Sequence, residues 1–406
     1  ATASGLGTGP VTLNGGMLTM HDNSGSYNSQ TYHLIVPAGQ TGTLNTDSRS
    51  DIYGTLSGGG TLNVRVPWIR TELNADWSAF TGQINLTTDS NGGDLRMEPS
   101  YSYPGFPNAS VNLADKVALY YIGTLAQGAG TTIPIGALSG GSLSTLMGGA
   151  TGGRNLTYRI GGKGADAIFA GIIREQDPAW HTTSIVKTGA GKWTLSGNSS
   201  WNGGTTVEAG ALCISGSVTC ASTVDVHDGA SLCLMGGSLN ADAVNIAGSA
   251  SLNGDGTITG DLNNDGTLTC DGGVLSVTGN VVNNGVMRFT GGGGIAVSGD
   301  ANFVNNGVLD LLTAGGQLPA NLVNNGIVID SSGLELESAG ISGNDFSLSI
   351  ATYAGHSYQL QWSPDMSPGS WTNVGAGVSG DGTVKSFKHS GGATAGKGFY
   401  RIAVTP

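Results

Sequence analysis

The sequence predicts an all-β protein, a right-handed parallel β-helix (solenoid) with a small C-terminal β-sandwich. Three observations carry this prediction. A degenerate unit of roughly twenty residues repeats along the chain, apolar residues alternate within each unit, and glycine is abundant while charge is scarce. Repeated units that each bury one face against a neighbour are the mark of a solenoid.

Composition excludes several other classes of protein. The chain has 406 residues with 71 Gly, 38% hydrophobic and 11% charged residues, where ordinary domains carry about 25% charged residues. Short apolar runs punctuate the glycines, which disordered chains lack, and no collagen-like period of three appears. The net charge of −12 argues against nucleic acid and anionic membranes as partners. No apolar run approaches the roughly 18 residues of a transmembrane helix.

Four segments align without gaps and define the repeat. They are residues 261–268, 280–287, 302–309 and 321–328, each built around Asn-Asn-Gly or Asn-Asp-Gly. Their turn glycines, Gly266, Gly285, Gly307 and Gly326, lie 19, 22 and 19 residues apart. Gly248, Gly229 and Gly210 extend the series backwards. One coil of two or three short strands with turns needs about this length.

After each turn glycine, apolar residues occupy alternate positions. The pairs are Leu212 and Ile214, Leu268 and Cys270, Met287 and Phe289, and Leu309 and Leu311. A period of two places one side chain inside and the next outside, so stacked coils should pile these residues into apolar ladders. Asn264, Asn283, Asn305 and Asn324 precede the turns, and we expect them to form an asparagine ladder. The Asn-Gly pairs suggest bends with positive φ.

A longer motif identifies a related family. Residues 187–212 (KTGAGKWTLSGNSSWNGGTTVEAGAL) closely resemble the autotransporter-associated β-strand repeat of large secreted bacterial proteins. Residues 5–18 (GLGTGPVTLNGGML) resemble the second half of such a unit. The resemblance covers residues 1–20 and about 155–330. It implies a passenger-type β-helical stem, a secreted or cell-surface location, and a chain cut from a longer one. It implies no activity.

Three regions differ in sequence style. Residues 1–185 read as an N-terminal solenoid with aromatic and charged insertions, residues 186–343 as regular repeats of about 19 residues, and residues 344–406 as a C-terminal β-sandwich. In the last region, alternating strands are expected at 346–350, 358–362, 371–374 and 399–404. We expect this unit to cover the open end of the solenoid, where unpaired strand edges would otherwise be exposed.

The cysteines allow two interpretations. Cys213, Cys220 and Cys233 fall within 21 residues, and Cys270 stands apart. A disulfide between two of the first three is one interpretation, and a ladder of buried thiols is the other. No CxxC pair or flanking His indicates zinc.

One patch combines aromatic, acidic and basic residues. It contains Trp68, Arg70, Glu72, Trp77, Arg96, Glu98, Tyr101 and Tyr103. Rings that stack on pyranose faces beside carboxylates suit glycan binding, and Glu72 with Glu98 could serve as the acid and base of a glycosidase. The alternative, which we favour, is that the rings pack a widened coil and the charges are solvated.

Other local signals are interpreted as structural. His33 and His181 are isolated and expected at the surface. Residues 261–266 match the start of a calcium loop, but Gly272 stands where the loop needs Glu, so a turn is favoured. Structural calcium at other acidic turns, such as Asp255, stays open, and no other cofactor is expected. The glycine runs at 58–60 and 291–294 precede no helix and are interpreted as turns.

Two hypotheses for function follow. The first is an extracellular structural or adhesive stalk or filament that binds glycans or stacks end to end. The second is a polysaccharide-degrading enzyme (glycoside hydrolase or lyase), or the accessory stem of one.

Overall fold

A computed structural model describes residues 6–21, 28–47, 49–67, 70–97, 105–122, 130–148, 154–176, 179, 181–313, 321–394 and 397–405. These residues form strands, turns and one short 3-10 helix, and they contain no α-helix.

The strands are numbered in chain order. Strands β1 to β16 are Val11–Thr12, Met17–Met20, Asn28–Val36, Thr41–Thr46, Ser50–Gly58, Thr61–Arg65, Thr71–Leu73, Gln83–Thr87, Gly93–Met97, Phe106–Leu113, Val117–Tyr121, Thr131–Gly140, Thr145–Met147, Arg154–Ile160, Ala167–Phe169 and Ile172–Arg174. Strands β17 to β34 are His181–Lys187, Lys192–Leu195, Asn198–Trp201, Thr205–Val207, Ala211–Ile214, Ser217–Cys220, Val224–Val226, Ser231–Ile246, Ser251–Asn264, Thr267–Asp271, Val274–Val277, Val281–Asn283, Val286–Thr290, Gly294–Val297, Phe303–Asn305, Val308–Thr313, Leu322–Asn324 and Ile327–Ile329. Strands β35 to β41 are Leu336–Ser342, Asp345–Ala351, Ser357–Ser363, Thr372–Asn373, Val378–Ser379, Val384–His389 and Phe399–Thr405, and the 3-10 helix is Ser331–Gly333.

Strands β1 to β34 wind into a parallel β-helix of about 13 coils. Each coil passes through three faces, as β17, β18 and β19 do before β20, β21 and β22 repeat the path one level along. Among the described residues between 11 and 329, every strand pairing is parallel. At about 4.8 Å per coil, the shaft is roughly 60 Å long. The predicted fold class is therefore confirmed.

The core of the shaft consists of stacked apolar ladders. Leu268, Met287 and Leu309 are register partners on successive coils, and Cys270 pairs with Phe289. All of these side chains are buried. This burial confirms the alternation of inward and outward side chains that was predicted after each turn glycine. Each inward side chain packs against the equivalent side chains of the coils above and below.

The predicted asparagine ladder is also present. Nδ2 of Asn264 donates to Oδ1 of Asn283 at 2.8 Å, Asn283 donates to Asn305 at 2.7 Å, and Asn305 donates to Asn324 at 2.7 Å. The first three are fully buried. On earlier coils the same inward position holds Lys187, Val207, Val226 and Ile246. The ladder therefore replaces the apolar Val207, Val226 and Ile246 by asparagines that bond to one another along the shaft, and Oδ1 of Asn264, at the start of the ladder, has no partner among the described residues.

The reason for the turn glycines differs from the predicted one. Gly266, Gly285, Gly307 and Gly326 do not have positive φ. Instead, a Cβ on Gly285 would overlap the carbonyl oxygen of Gly266, and a Cβ on Gly307 would overlap that of Gly285. The glycine is required because successive turns stack backbone on backbone. The prediction of a left-handed bend at these positions was wrong.

The strand ladder is continuous across residue 185. Residues 154–160 of β14 pair in register with residues 181–187 of β17. The change in sequence style near this position thus falls inside one uninterrupted stack of coils.

Residues 336–405 form two small antiparallel sheets. One has the order β35-β36-β40, and in the other β37 pairs with β38, β39 and β41. Leu348, Ile350, Tyr358, Leu360 and Phe387 form a separate small core between them. This arrangement supports the expected C-terminal β-sandwich, here called the C-terminal unit.

The C-terminal unit packs against the flank of the shaft and does not cover its end. Nε2 of the buried His356 lies 2.9 Å from Oδ2 of Asp310, which also accepts from Nε of Arg288 at 2.9 Å. Arg288 and Asp310 are outward neighbours on successive coils. Asn324 and Asn325 at the end of the shaft remain exposed. The expectation of an end cap was wrong for the described residues.

The two histidines behave differently. His33 is exposed on β3, as expected, and contacts Oγ1 of Thr55 at 3.0 Å. His181 is buried at the start of β17, where it pairs with Arg154. The expectation of a surface His181 was wrong, because His181 is the first residue of β17 and lies on the buried face of that strand.

Candidate functional site

The aromatic and charged patch predicted from sequence is only partly within the described residues. Trp68, Glu98, Tyr101 and Tyr103 lie outside them. Trp77 is almost fully buried, with its ring centroid 6.1 Å from that of Phe106. Its ring is part of the shaft core and presents no stacking surface to solvent.

The charged members of the patch surround a residue that the sequence did not single out. Asp94 accepts hydrogen bonds from Nε and Nη2 of Arg96 at 3.2 and 3.0 Å, and from the hydroxyl of Tyr120 at 3.1 Å. The backbone N–H of Arg70 also donates to Asp94. The carboxylate is buried, so these donors offset the cost of its desolvation.

The residues around Asp94 also stack on one another along the shaft. Glu72, Arg96 and Tyr120 are partners on successive coils, and the Arg96 guanidinium lies 5.1 Å from the Tyr120 ring centroid. Burial, and next the negative charge of Asp94, raise the pKa of Tyr120. The saturated hydrogen bonding of Asp94 indicates a structural clamp that fixes the turn at Arg70, where φ is 70°.

A cleft lies on the flank of the shaft. It has a volume of about 490 Å³ and is lined in part by Gln83, Ser110, Ser139, Asp166, Ile168 and Lys192. Nε2 of Gln83 donates to Oδ1 of Asn85 at 3.1 Å, and Oγ of Ser139 donates to Oδ1 of Asn112 at 2.9 Å. The backbone N–H of Lys192 donates to Asp166 at 2.7 Å. Most of its polar groups are therefore committed to the ladder itself.

A second cleft opens between the two sheets of the C-terminal unit. Its volume is about 460 Å³, and its lining is Trp362, Thr372, Asn373, Val374, Gly375, His389, Gly391 and Gly392. Trp362 on β37 pairs with Thr372 on β38 and with Tyr400 on β41, so these three side chains share one face of the sheet. His389 belongs to β40 of the other sheet, where it pairs with Phe346.

Aromatic contacts fix the shape of this cleft. The rings of Phe346 and Tyr400 stack at 3.8 Å with 10° between their planes. Nδ1 of His389 lies 2.8 Å from the Tyr400 hydroxyl, and the His389 ring meets the Trp362 ring edge-on at 6.3 Å. Sequence reasoning found these strands but not the cleft. The aromatic residues at Trp362 and Tyr400 were a visible signal, yet nothing in the sequence brings them beside His389.

The cysteines serve structure. Cys213 and Cys233, register partners on β21 and β24, form a disulfide with their Cα atoms 4.5 Å apart. Cys220 and Cys270 are free and buried. Burial raises the pKa of both thiols, that of Cys270 to about 11, so neither resembles an activated nucleophile.

The turn resembling a calcium loop belongs to the coil ladders. Oδ1 of Asp261 accepts from the backbone N–H of Asn280 at 2.8 Å, and Oδ1 of Asp265 accepts from Nδ2 of Asn284 at 2.7 Å. Across the part of the chain that the structure describes, no group of three or more His, Cys, Asp or Glu side chains is placed to hold a metal ion. A search of the same residues finds no helix able to span a membrane.

Comparison with known proteins finds a family model that matches a short segment of the chain. Residues 185–213 match the passenger-associated-transport-repeat model, and no curated protein matches the chain. The matched segment runs from β17 to β21, more than one coil of the shaft. The repeat and the parallel solenoid together fit an autotransporter passenger-type β-helix.

The matched segment shows how the repeat builds a coil. Nζ of the buried Lys187 donates to the carbonyl oxygens of Thr188, Gly189 and Ala209 at 2.9, 2.9 and 3.0 Å. Nε1 of Trp193 donates to Leu138 O at 3.0 Å. These residues tie one coil to the next, and their role is structural.

Proposed function

We propose that the chain is a secreted or cell-surface stalk, a rigid passenger-type shaft that holds adhesive surfaces away from its point of attachment. The observation that carries this proposal is the uninterrupted parallel ladder from β1 to β34. Each coil is fixed to two neighbours by backbone hydrogen bonds and a continuous core, so bending would break many contacts at once.

Shape and location test the proposal separately. Small-angle X-ray scattering should show an elongated particle with a shaft of roughly 60 Å, from about 4.8 Å per coil. Antibody labelling of intact cells that express the full-length protein should detect the shaft outside the cell. A compact particle, or epitopes accessible only after lysis, would contradict the stalk.

End-to-end stacking is a second part of the proposal. At the last coil, β33 and β34 pair with β31 and β32 on one side, and no other described strand pairs with their second edge. Asn324 and Ile327 are exposed there. A second copy could therefore continue the ladders.

Electron microscopy over a range of concentrations tests the stacking. We expect short filaments that Ile327→Lys abolishes, because the charge would lie at the stacking edge. Ile168→Lys, at an exposed apolar residue on the flank, is the matched control and should leave filaments intact. Monomers at every concentration would exclude this part of the proposal.

A further inference from the structure

The mouth of the C-terminal unit differs from the rest of its interior. Tyr358, Leu360 and Phe387 fill the core, whereas Trp362, His389 and Tyr400 are only half-buried beside an open cleft. A small sandwich normally closes its end with apolar side chains or a loop. Here the end holds a space of about 460 Å³, within the range of small-molecule sites.

The chemistry of the lining is aromatic and neutral. Trp362 supplies a large ring, His389 a second one, and Thr372 and Asn373 supply a hydroxyl and an amide. The described lining residues include no Asp, Glu, Lys or Arg. Such a surface offers a flat apolar face next to a hydroxyl and an amide that can both donate and accept hydrogen bonds.

One polar atom of Trp362 has no partner. Nε1 of Trp362 is buried and has no hydrogen-bond partner among the described residues. A buried indole N–H normally finds an acceptor, and leaving it unpaired costs about 1–3 kcal/mol. The backbone at Gly398 lies against this N–H, so the protein itself encloses the donor.

Two glycines pack against the rings of Trp362 and His389. A Cβ on Gly398 would overlap Nε1 of Trp362, and a Cβ on Gly392 would approach Nδ1 of His389 at 2.6 Å. The backbone therefore lies directly against both rings and holds them in place. Nδ1 of His389 is already engaged by the Tyr400 hydroxyl, which leaves Nε2 for a ligand.

We infer that this cleft binds a neutral saccharide, with a pyranose ring lying on Trp362 and its hydroxyls bonded to Asn373, Thr372 and Nε2 of His389. The C–H face of a pyranose is apolar and its rim carries hydroxyls that both donate and accept, which matches a flat ring bordered by neutral polar groups. The inference rests on the proposed adhesive stalk and names the class of ligand and the surface that takes it.

Calorimetric titration of the whole chain tests the inference. The probes are neutral hexasaccharides of glucose, xylose, mannose and galactose, with an oligogalacturonate as the charged comparison. We expect binding of at least one neutral probe and none of the charged one. Trp362→Ala should weaken binding at least tenfold, Asn373→Ala should weaken it less, and Trp362→Phe should retain part of it.

Trp371→Ala is the matched control. Trp371 neighbours Thr372 in sequence, but it stacks on Arg401 at 4.3 Å, away from the cleft lining, so this variant should bind as well as the parent. Unchanged thermal melting of Trp362→Phe and Asn373→Ala keeps the test independent of folding. No binding of any neutral probe at millimolar concentration, preference for the charged one, or binding that survives Trp362→Ala would overturn the inference. If scattering still shows a rod in that case, the inference fails and the stalk stands.

Discussion

The amide of Asn283 donates to Oδ1 of Asn305 at 2.7 Å inside the shaft, and both side chains are fully buried. The same Nδ2 also reaches the carbonyl oxygen of Val308 at 3.0 Å. Each asparagine thus joins two coils through its side chain and backbone together.

Asn283→Ala should destabilise the shaft because it leaves Oδ1 of Asn305 without its donor. An unsatisfied buried polar group costs about 1–3 kcal/mol, and urea unfolding followed by circular dichroism should show a lower midpoint. Asn284→Ala removes an exposed amide that bonds to Asp265 at 2.7 Å, and should change stability by less than about 0.5 kcal/mol. Equal effects of the two variants would show that the inner ladder has no special role.

Gly285→Ala should be more harmful than its small volume suggests. Its Cβ would overlap the carbonyl oxygen of Gly266, so adjacent turns must separate, at a cost of about 1–3 kcal/mol. Gly248→Ala is the control, since a Cβ there meets nothing within 4 Å. A lower melting temperature for Gly285→Ala alone would verify backbone stacking. Equal melting temperatures for the two variants would refute it.

Lys187 should make stability depend on pH in the alkaline range. Burial lowers the pKa of its ammonium to about 8 from an ordinary value of 10.5. Between these values the unfolded chain holds a proton that the folded chain has lost, so this residue's contribution to stability rises as pH rises through about 8. We would measure the free energy of unfolding of the parent and of Lys187→Met from pH 7 to 10. It should increase with pH in the parent but not in Lys187→Met. The exposed Lys192 gives the control variant Lys192→Met, which should keep this increase.

The disulfide makes a direct prediction about thiol counts. In denaturant without reductant, a thiol reagent should modify Cys220 and Cys270 alone, and after reduction it should modify all four cysteines. Replacing Cys213 and Cys233 together by Ser should lower stability by about 3 kcal/mol for a loop of this length. Four reactive thiols before reduction would disprove the bond.

The contact between Asp310 and His356 should hold the C-terminal unit to the shaft. Asp310→Asn removes the charge that the Arg288 guanidinium faces and weakens the contact with Nε2 of the buried His356. Limited proteolysis should then cut between residues 331 and 345. Asp300→Asn, at an exposed turn, is the control and should leave the cleavage pattern unchanged. If both variants resist cleavage between residues 331 and 345, Asp310 does not hold the C-terminal unit to the shaft.

Much of the shaft was predictable because its information is local and repeated. The alternation at Met287 and Phe289 sets which side chains point inward, and the recurrence of Asn283 and Asn305 at one step of the repeat sets what they stack upon. In a solenoid each coil contacts only its neighbours, so a pattern in the sequence maps directly onto contacts. Cys213 and Cys233 could be expected to meet for the same reason.

The sequence by itself determined the all-β solenoid, its ladders and its passenger-type repeat. Only the tertiary structure decided that the C-terminal unit lies on the flank at Asp310, that Trp77 is a core residue, and that Trp362 meets His389 across a cleft. These relationships join residues from different sheets or from units far apart in the chain. The sequence repeat does not encode these contacts, because they depend on how the surfaces of separately folded sheets pack against each other.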